Sequence, residues 1–278
     1  MRGDMWQVCE LTERSPIYAY LETDRLYATY LIGDLEPGMY EQCQWVGAQA
    51  EGRLHALALL YRGLDPPPLV LMGDRDGLRA ILEGDHFPGQ VYLTCRPENL
   101  EMTRALYAWE RETLMWRMVL PPARFRHVAG DCVLLTPAHA EQLTRLFALG
   151  GGLAFSPEQI ARGVFYGVLI EGQIVAVAGT HLVSPTYGAA GIGNIFVHPD
   201  CRGRGYGTAV TSAVAHELLR RGIRDVVLNV DQDNAPAIHV YEKLGFERYC
   251  PFYEGPAVRM GRGISPRRRK GRKGGAKG

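Results

Sequence analysis

The sequence has no apolar run long enough to cross a membrane, and its first residues, Met1 to Asp4, lack the apolar core of a signal peptide. Its six cysteines are scattered, and none of them forms a Cys-x-x-Cys pair. These absences argue against a membrane protein, a zinc site and a disulfide framework, and we expect no metal. A reducing cytoplasm is the location that we expect.

An excess of charge of one sign is also missing, because 31 Lys and Arg residues oppose 30 Asp and Glu residues. The balance hides a basic tail: Ser265 to Gly278 contain seven basic residues and no acid, so the rest of the chain has 24 basic and 30 acidic residues, a net charge of about −6. This glycine-rich tail has no apolar periodicity, and we expect it to be disordered. Composition favours a solvated tail without a single partner; the alternative is a weak, non-specific contact with RNA or another polyanion.

The length of 278 residues, of which 46% are hydrophobic, allows two domains of ordinary size. We place the first at residues 1–130, the second at 131–262 and the basic tail at 263–278. An offset of 120 residues aligns the turn Glu51-Gly52 with Glu171-Gly172 and matches small residues around both turns. Both turns lie in predicted hairpins, each followed by a strand, a helix and another strand. This shared order predicts that the halves are structural relatives.

One stretch, Gly193 to Gly207, is the most informative of the chain. Ile195 to Val197 form a short apolar run that predicts a strand, Pro199 ends regular pairing, and Arg202 to Gly207 read Arg-Gly-Arg-Gly-Tyr-Gly before a helical pattern. Glycines allow close backbone approach, the N–H groups at a helix start point at an anion, and arginines suit phosphate oxygens. The stretch therefore predicts a site for the pyrophosphate of a nucleotide-containing cofactor.

The first half differs at the corresponding place, where it reads Gly73-Asp74-Arg75-Asp76-Gly77. Asp74 and Asp76 put negative charge at the start of the next helix, can satisfy its N–H groups themselves and would repel a pyrophosphate. We therefore predict one cofactor site, in the second half. The loop there is neither a dinucleotide fingerprint, since an antiparallel meander precedes it, nor a P-loop, since the Lys-Ser/Thr ending is absent.

A second motif follows thirty residues later, and its residues are Asn234, Ala237, Tyr241, Gly245 and Phe246. The pair of motifs, Arg-x-x-Gly-x-Gly and Asn-x-x-Ala-x-x-x-Tyr-x-x-x-Gly-Phe, resembles the GNAT superfamily of acyl-CoA-dependent N-acyltransferases over residues 131–262. The first half resembles the degenerate half of tandem members. The resemblance implies an α+β fold with two GNAT-like domains, each a mixed, mostly antiparallel sheet flanked by helices.

The resemblance also implies a role for each matching residue. The backbone of Ile195, Phe196 and Val197 would pair with pantetheine, and Asn234 would reach the same arm, although a simple helix cap explains Asn234 equally well. Tyr241 would protonate the departing CoA thiolate; without the resemblance, core packing would be its simpler explanation. The pyrophosphate would be held by the backbone N–H groups of Arg202, Gly203, Arg204, Gly205, Tyr206, Gly207 and Thr208.

The general base is the missing part. Many family members place a glutamate on the strand before the loop, but this chain has Gly193-Asn194 there, and an asparagine cannot take a proton. His181 and His198 are candidates because histidine titrates near neutral pH, and each has a structural or surface role as its simpler explanation. Direct transfer needs no cysteine nucleophile, so we assign no role to Cys201.

We therefore expect an N-acetyltransferase that transfers an acetyl group from acetyl-CoA, its cosubstrate, to an amine of a small molecule or peptide. The second half would be catalytic, and the first would shape the acceptor site. The rival hypothesis is a non-catalytic acyl-CoA-binding or scaffold protein whose tail binds polyanions. The absent glutamate favours this rival and the retained Tyr241 opposes it. The acceptor and the oligomeric state stay open.

Overall fold

The computed structural model describes residues 6–150 and 155–261, so the predicted basic tail lies outside the described residues. The described residues form eight α-helices and thirteen strands. The helices are α1 (Arg14–Leu21), α2 (Thr29–Gly33), α3 (Arg75–Glu83), α4 (Leu100–Leu106), α5 (Ala140–Ala148), α6 (Glu158–Arg162), α7 (Tyr206–Arg220) and α8 (Ala235–Leu244). The strands are β1 (Gln7–Glu10), β2 (Cys43–Ala50), β3 (Arg53–Tyr61), β4 (Pro68–Gly73), β5 (Gln90–Cys95), β6 (Tyr107–Trp109), β7 (Thr113–Leu120), β8 (Val133–Leu134), β9 (Tyr166–Ile170), β10 (Gln173–Ser184), β11 (Ala189–Val197), β12 (Asp225–Asp231) and β13 (Glu247–Arg259).

All thirteen described strands join one sheet, in the order β1-β2-β3-β4-β5-β13-β7-β12-β11-β10-β9-β8, with β6 paired to β13. Neighbouring strands are antiparallel except at two places, β4 with β5 and β11 with β12. The predicted mixed, mostly antiparallel sheet flanked by helices is thus confirmed.

Each half contains the same series: a hairpin, a third antiparallel strand, a helix, a parallel strand and another helix. The hairpin turns match in detail, because Glu51 and Glu171 have φ values of 51° and 49° and the glycines after them have φ values of 73° and 76°. Two consecutive left-handed residues form the tight turn that suits the twist of paired strands. The matched turns and the shared order agree with two related halves.

The halves exchange their last strands. Strand β7 comes from the first half of the chain but lies between β12 and β13, and β13 lies between β5 and β7. Strand β13 is a single strand of 13 residues that pairs with β7 up to Glu254 and with β5 from Tyr253 onward. The domain boundary near residue 130 stays a prediction, because the sheet continues across both halves.

Two groups of helices cover opposite faces of the second half. Helices α7 and α8 bury residues such as Val210, Val214 and Leu244 against one face. Helices α1 and α2 cover the other face and belong to a core that includes Ala189 and residues of both exchanged strands. Burying a Leu, Ile or Phe side chain contributes about 1.5–3 kcal/mol, so this shared core holds the first half's helices against the second half's sheet.

An ion pair strengthens the same contact: Arg25 Nε lies 2.6 Å from Asp225 Oδ2, and Arg25 Nη2 donates to the Tyr187 carbonyl at 2.6 Å. No helix within residues 6–150 and 155–261 is both long and apolar enough to cross a membrane.

Candidate active site

Strands β11 and β12 separate halfway along β11. Their parallel pairing joins Ala189–Ile192 to Asp225–Leu228 and then stops, whereas β11 continues to Val197 with β10 on its other side. A β-bulge lies at the point of separation, because Asn194 has a φ of 51° and the β10 register shifts between Phe196 and Gly193. An opening therefore separates β11 from β12 at this point. The edge of β11 that faces it, formed by Ile195, Phe196 and Val197, pairs with no described strand.

The predicted phosphate loop follows directly and begins α7. Arg202 N–H donates to the Pro199 carbonyl at 3.3 Å, but the next six amide groups, from Gly203 to Thr208, donate to no described residue. We call Gly203–Thr208 the amide loop. Free N–H groups at a helix N-terminus, together with the helix dipole, form an anion site.

Glycine is needed in the amide loop at two positions. Gly203 and Gly205 have left-handed φ values of 76° and 80°, which side chains rarely adopt. Arg202 and Arg204 are exposed, and within the described residues their guanidinium groups form only long hydrogen bonds, at 3.4 and 3.5 Å, to backbone carbonyls. Both guanidinium groups can therefore turn toward an anion.

Helix α8 and its N-cap supply Tyr241 and Asn234, the two residues of the second motif for which a role was predicted. Asn234 is exposed at its N-cap, and its Oδ1 accepts from Ala237 N–H at 3.2 Å, so the cap role is observed and the Nδ2 group is free. Tyr241 is 6% exposed and packs against Phe246, with ring centroids 6.0 Å apart. Burial raises the pKa of Tyr241 to about 12. Its hydroxyl is therefore protonated at any physiological pH.

Packing brings these predicted residues together. Tyr241, Ile195, Val197 and Tyr206 contact one apolar cluster between the sheet and helices α7 and α8. Phe196 points to the opposite face, where its ring lies 6.4 Å from that of Phe147. The open strand edge, the start of α7 and Tyr241 thus pack against the same apolar cluster.

The two candidate histidines have different positions. His198 begins the turn before the amide loop, and its Nδ1 accepts from the Asp200 N–H at 3.3 Å, which is a turn-capping contact. His181 lies in β10 on the α2 side, with its ring 6.2 Å from that of Tyr30. The His181 ring is accessible and yet so closely surrounded by protein that burial lowers its pKa to about 4.

Sequence reasoning missed a polar group beside His181, which we call the α2-face cluster and define as Tyr30, Arg117, His181 and Asn229. Arg117 is 2% exposed, and its Nε and Nη1 donate to no described residue. Its guanidinium carbon lies 4.6 Å from the Tyr30 ring centroid, and its register partner on β12 is Asn229, whose buried Oδ1 accepts nothing within the described residues. Buried groups without partners suit a polar ligand.

A signal for Arg117 existed, because it is the one charge in the apolar run Leu114 to Leu120. That signal could not place Arg117 in the second half's site, since β7 enters that sheet only by the strand exchange. Within the described ranges, no three His, Cys, Asp or Glu side chains are grouped as a metal site.

Residues 138–246 match the model of the Acetyltransferase (GNAT) family. A mycothiol acetyltransferase of Saccharomonospora viridis is 42% identical over 93 residues, which are 31% of this chain and 30% of that protein. One from Thermobifida fusca is 28% identical over 272 residues, with 83% of this chain and 78% of that protein covered. The alignments with the S. viridis and Rhodococcus opacus relatives span only 30% and 20% of those proteins.

Two solved structures resemble the chain over nearly its whole length. A tandem GNAT protein from the clavulanic acid biosynthesis pathway has a TM-score of 0.59 at 16% identity and covers 92% of this chain and 99% of its own. A Drosophila protein has a TM-score of 0.68 at 12% identity, with 93% and 99% covered. At such identities the likeness is one of fold alone.

Proposed function

We propose that the protein is an N-acetyltransferase that transfers an acetyl group from acetyl-CoA to an amine, because residues 138–246 match the model of the Acetyltransferase (GNAT) family. The observation that carries this proposal is the open strand edge next to six unpaired backbone amides. The rival hypothesis of a non-catalytic scaffold has less support, since it gives no reason for the protonated Tyr241 at the opening.

The described residues fit acetyl-CoA part by part. A pyrophosphate suits the amide loop, where N–H donors, the start of α7 and two exposed arginines converge. A pantetheine arm suits the edge of Ile195 to Val197, because its amide groups can pair with an unpaired strand as another strand would. The free Nδ2 of Asn234 is available to the same arm.

Tyr241 is the group that we assign to the leaving thiolate. Its raised pKa keeps the hydroxyl protonated, and the hydroxyl donates to no described acceptor that would compete for the proton. A positioned proton donor of this kind typically contributes about 10²- to 10⁴-fold in rate. The general acid that we propose, Tyr241, therefore belongs to the second half of the chain.

We place the acceptor on the α2 side of the opening. The α2-face cluster offers unpaired donors on Arg117 and an unpaired acceptor on Asn229, which suits a small polar amine with both kinds of hydrogen-bonding group. Glu254 contributes negative charge near Arg117, and burial raises its pKa. Arg117 and Glu254 lie on the exchanged strands β7 and β13, so both halves would shape the acceptor site.

The relatives named mycothiol acetyltransferase indicate which acceptor to assay first, because one of them aligns across both halves. The test starts with calorimetry of acetyl-CoA binding to the full chain. We expect one acetyl-CoA per chain, and the absence of binding at millimolar ligand would exclude the cosubstrate. A panel of amines that includes the acceptor of those relatives is then screened for CoA release. Binding without release for any amine would favour the scaffold hypothesis.

A further inference from the structure

Gly193 is a glycine because of the space around it. Its φ lies outside the left-handed region, so its backbone conformation suits any residue. A Cβ added at this position, however, would lie 2.0 Å from His181 Nε2 and 2.1 Å from His181 Cδ2. No pair of atoms tolerates that distance, so the imidazole of His181 occupies the space that a side chain of residue 193 would need.

On this strand the resemblance implied a glutamate, and the chain has Gly193-Asn194 in that region instead. We propose that His181 is the general base of the reaction, with its imidazole seated over Gly193 where the strand has no side chain of its own. This inference rests on the proposed acetyltransferase function and deepens it by assigning the proton acceptor.

Two β-bulges direct the imidazole to this place. In β10, Thr180 pairs with Ile192 and Leu182 pairs with Gly191, so His181 is the extra residue of a bulge. In β11, the second bulge at Asn194 follows Gly193 immediately. A bulge re-aims the side chain of its extra residue, and bulges are frequent next to active sites. Strand β11 thus borders the opening, and the bulge in β10 places the His181 imidazole over Gly193 of that strand.

The surroundings keep the imidazole neutral. Burial lowers the pKa of His181 to about 4, and within the described residues its ring forms no hydrogen bond or ion pair. Tyr30 of α2 faces it, and burial raises the pKa of Tyr30 to about 12, so that neighbour is also neutral. The charged groups on the elements around it are Arg117 behind Tyr30, Asp34 at the end of α2, and Glu158 and Arg162 of α6.

The proton balance is complete with this assignment. The amine nitrogen forms a bond to the acetyl carbon as the carbon–sulfur bond breaks. The nitrogen becomes acidic as it acquires positive charge, and its proton passes to Nε2 of His181, while the thiolate takes the hydroxyl proton of Tyr241. Exchange with water then restores the neutral imidazole and the phenol.

The first test compares His181→Gln with His198→Asn, a matched control that keeps an acceptor for the Asp200 N–H. We expect His181→Gln to lower kcat about 100-fold or more and to leave acetyl-CoA affinity and the melting temperature close to wild type. The control should keep wild-type kcat. A His181→Gln enzyme within threefold of wild-type kcat would overturn the proposal.

The second test moves the general base from position 181 of β10 to position 193 of β11. Gly193→Glu alone should lose activity because the new side chain meets the imidazole, whereas Gly193→Glu combined with His181→Gly should be at least tenfold more active than His181→Gly alone. Added imidazole should also rescue His181→Gly, and more basic methylimidazoles should rescue it better. Failure of both rescues in a folded variant that binds acetyl-CoA would overturn the proposal; if His181→Gly does not fold, the His181→Gln result decides.

These outcomes are separate from failure of the proposed function. A wild-type protein that binds no acetyl-CoA would remove the acetyltransferase assignment itself. A wild-type enzyme that is active while His181→Gln is equally active would remove only the base.

Discussion

In the first half, helix α3 begins with its own acidic cap, because Asp74 accepts hydrogen bonds from the N–H groups of Asp76 at 2.8 Å and Gly77 at 3.0 Å. In the second half, helix α7 has Gly205 as its N-cap, has no side-chain cap and leaves the amide loop unpaired within the described residues. The same position of a repeated fold is thus closed in one half and open to an anion in the other.

The strand openings differ in the same way. Strands β4 and β5 stop pairing after Val70, and the buried hydroxyl of Tyr27 donates to the carbonyl of Leu71, the next residue of β4, at 2.8 Å. In the second half the equivalent edge extends five residues beyond the last pair with no such side chain bonded to it. In the first half, the backbone groups at the helix start and the strand edge are bonded within the protein, and we interpret that half as structural. In the second half the corresponding groups are unpaired, which indicates that this half binds the cosubstrate.

Gly73 and Gly193, which align at the offset of 120 residues, repeat the contrast. An added Cβ would lie 2.1 Å from the Tyr20 hydroxyl in one half and 2.0 Å from His181 Nε2 in the other. The Tyr20 hydroxyl is bonded to the His55 carbonyl at 2.6 Å, but the imidazole of His181 has no partner within the described residues. A glycine makes room for a polar ring atom in both halves, and only the second leaves that atom free to react.

Among the substitutions that test this difference between the halves, the largest effect is expected at Tyr241. Helix α8 has this tyrosine, whereas α4 of the first half reads Leu-Glu-Met-Thr-Arg-Ala-Leu and has none. Tyr241→Phe keeps the ring and its packing on Phe246 but removes the proton donor. We expect kcat to fall about 100-fold or more, measured by CoA release, with acetyl-CoA affinity nearly unchanged.

Tyr107→Phe is the matched control for this prediction. Tyr107 follows α4 directly, is 1% exposed and has a hydroxyl without a partner in the described residues. Its substitution should leave kcat unchanged. Equal turnover of Tyr241→Phe and wild type would remove the acid role and with it this difference between the halves.

A smaller effect is expected when the first half's chemistry is transferred to the second. Gly205→Asp puts a carboxylate at the start of α7, in open space, since nothing lies within 4 Å of an added Cβ. Asp and Asn tolerate left-handed φ better than other side chains do, so the fold should persist. We expect the carboxylate to repel the pyrophosphate and weaken acetyl-CoA binding about 30-fold, measured by calorimetry.

The control variant Gly205→Asn separates the effect of the negative charge on acetyl-CoA binding from the effect of side-chain size. It adds a side chain of nearly the same size without the negative charge, so it should weaken binding only a few-fold. Equal losses for the two variants would mean that steric closure, and not charge, distinguishes the helix starts. No loss for either variant would show that the amide loop does not hold the pyrophosphate.

Much of this arrangement was predictable from local sequence. The cap Asn234, the stop at Gly245 and the paired left-handed turns at Glu51 and Glu171 depend on residues within a few positions of one another. The acidic cap of α3 depends likewise on Asp74 and its next three residues. Such features follow from backbone conformation and nearby hydrogen bonds, which short sequence patterns determine.

The strand exchange and the α2-face cluster were not predictable in this way. Nothing in the sequence of β7 or of β13 determines which neighbouring strand it pairs with in the sheet. Arg117 reaches Tyr30 and Asn229 only through that pairing, and His181 reaches Gly193 only through a bulge. These contacts join residues that are distant in the chain, so periodicity and spacing could not reveal them.

The smallest effect is expected from removing the acidic cap at the start of α3 in the first half. Asp74→Ala removes the cap of α3 and should lower the free energy of unfolding by about 1 kcal/mol, measured by urea denaturation, whereas Asp74→Asn keeps an acceptor for the same N–H groups and should cost less. Acetyl-CoA stoichiometry should remain one per chain in both variants. The reason is that Tyr27 still bonds the Leu71 carbonyl, so the strand edge stays closed even when the helix start is open. A second binding event in Asp74→Ala would show that the cap alone keeps the first half from binding, and that the closed strand edge is not needed.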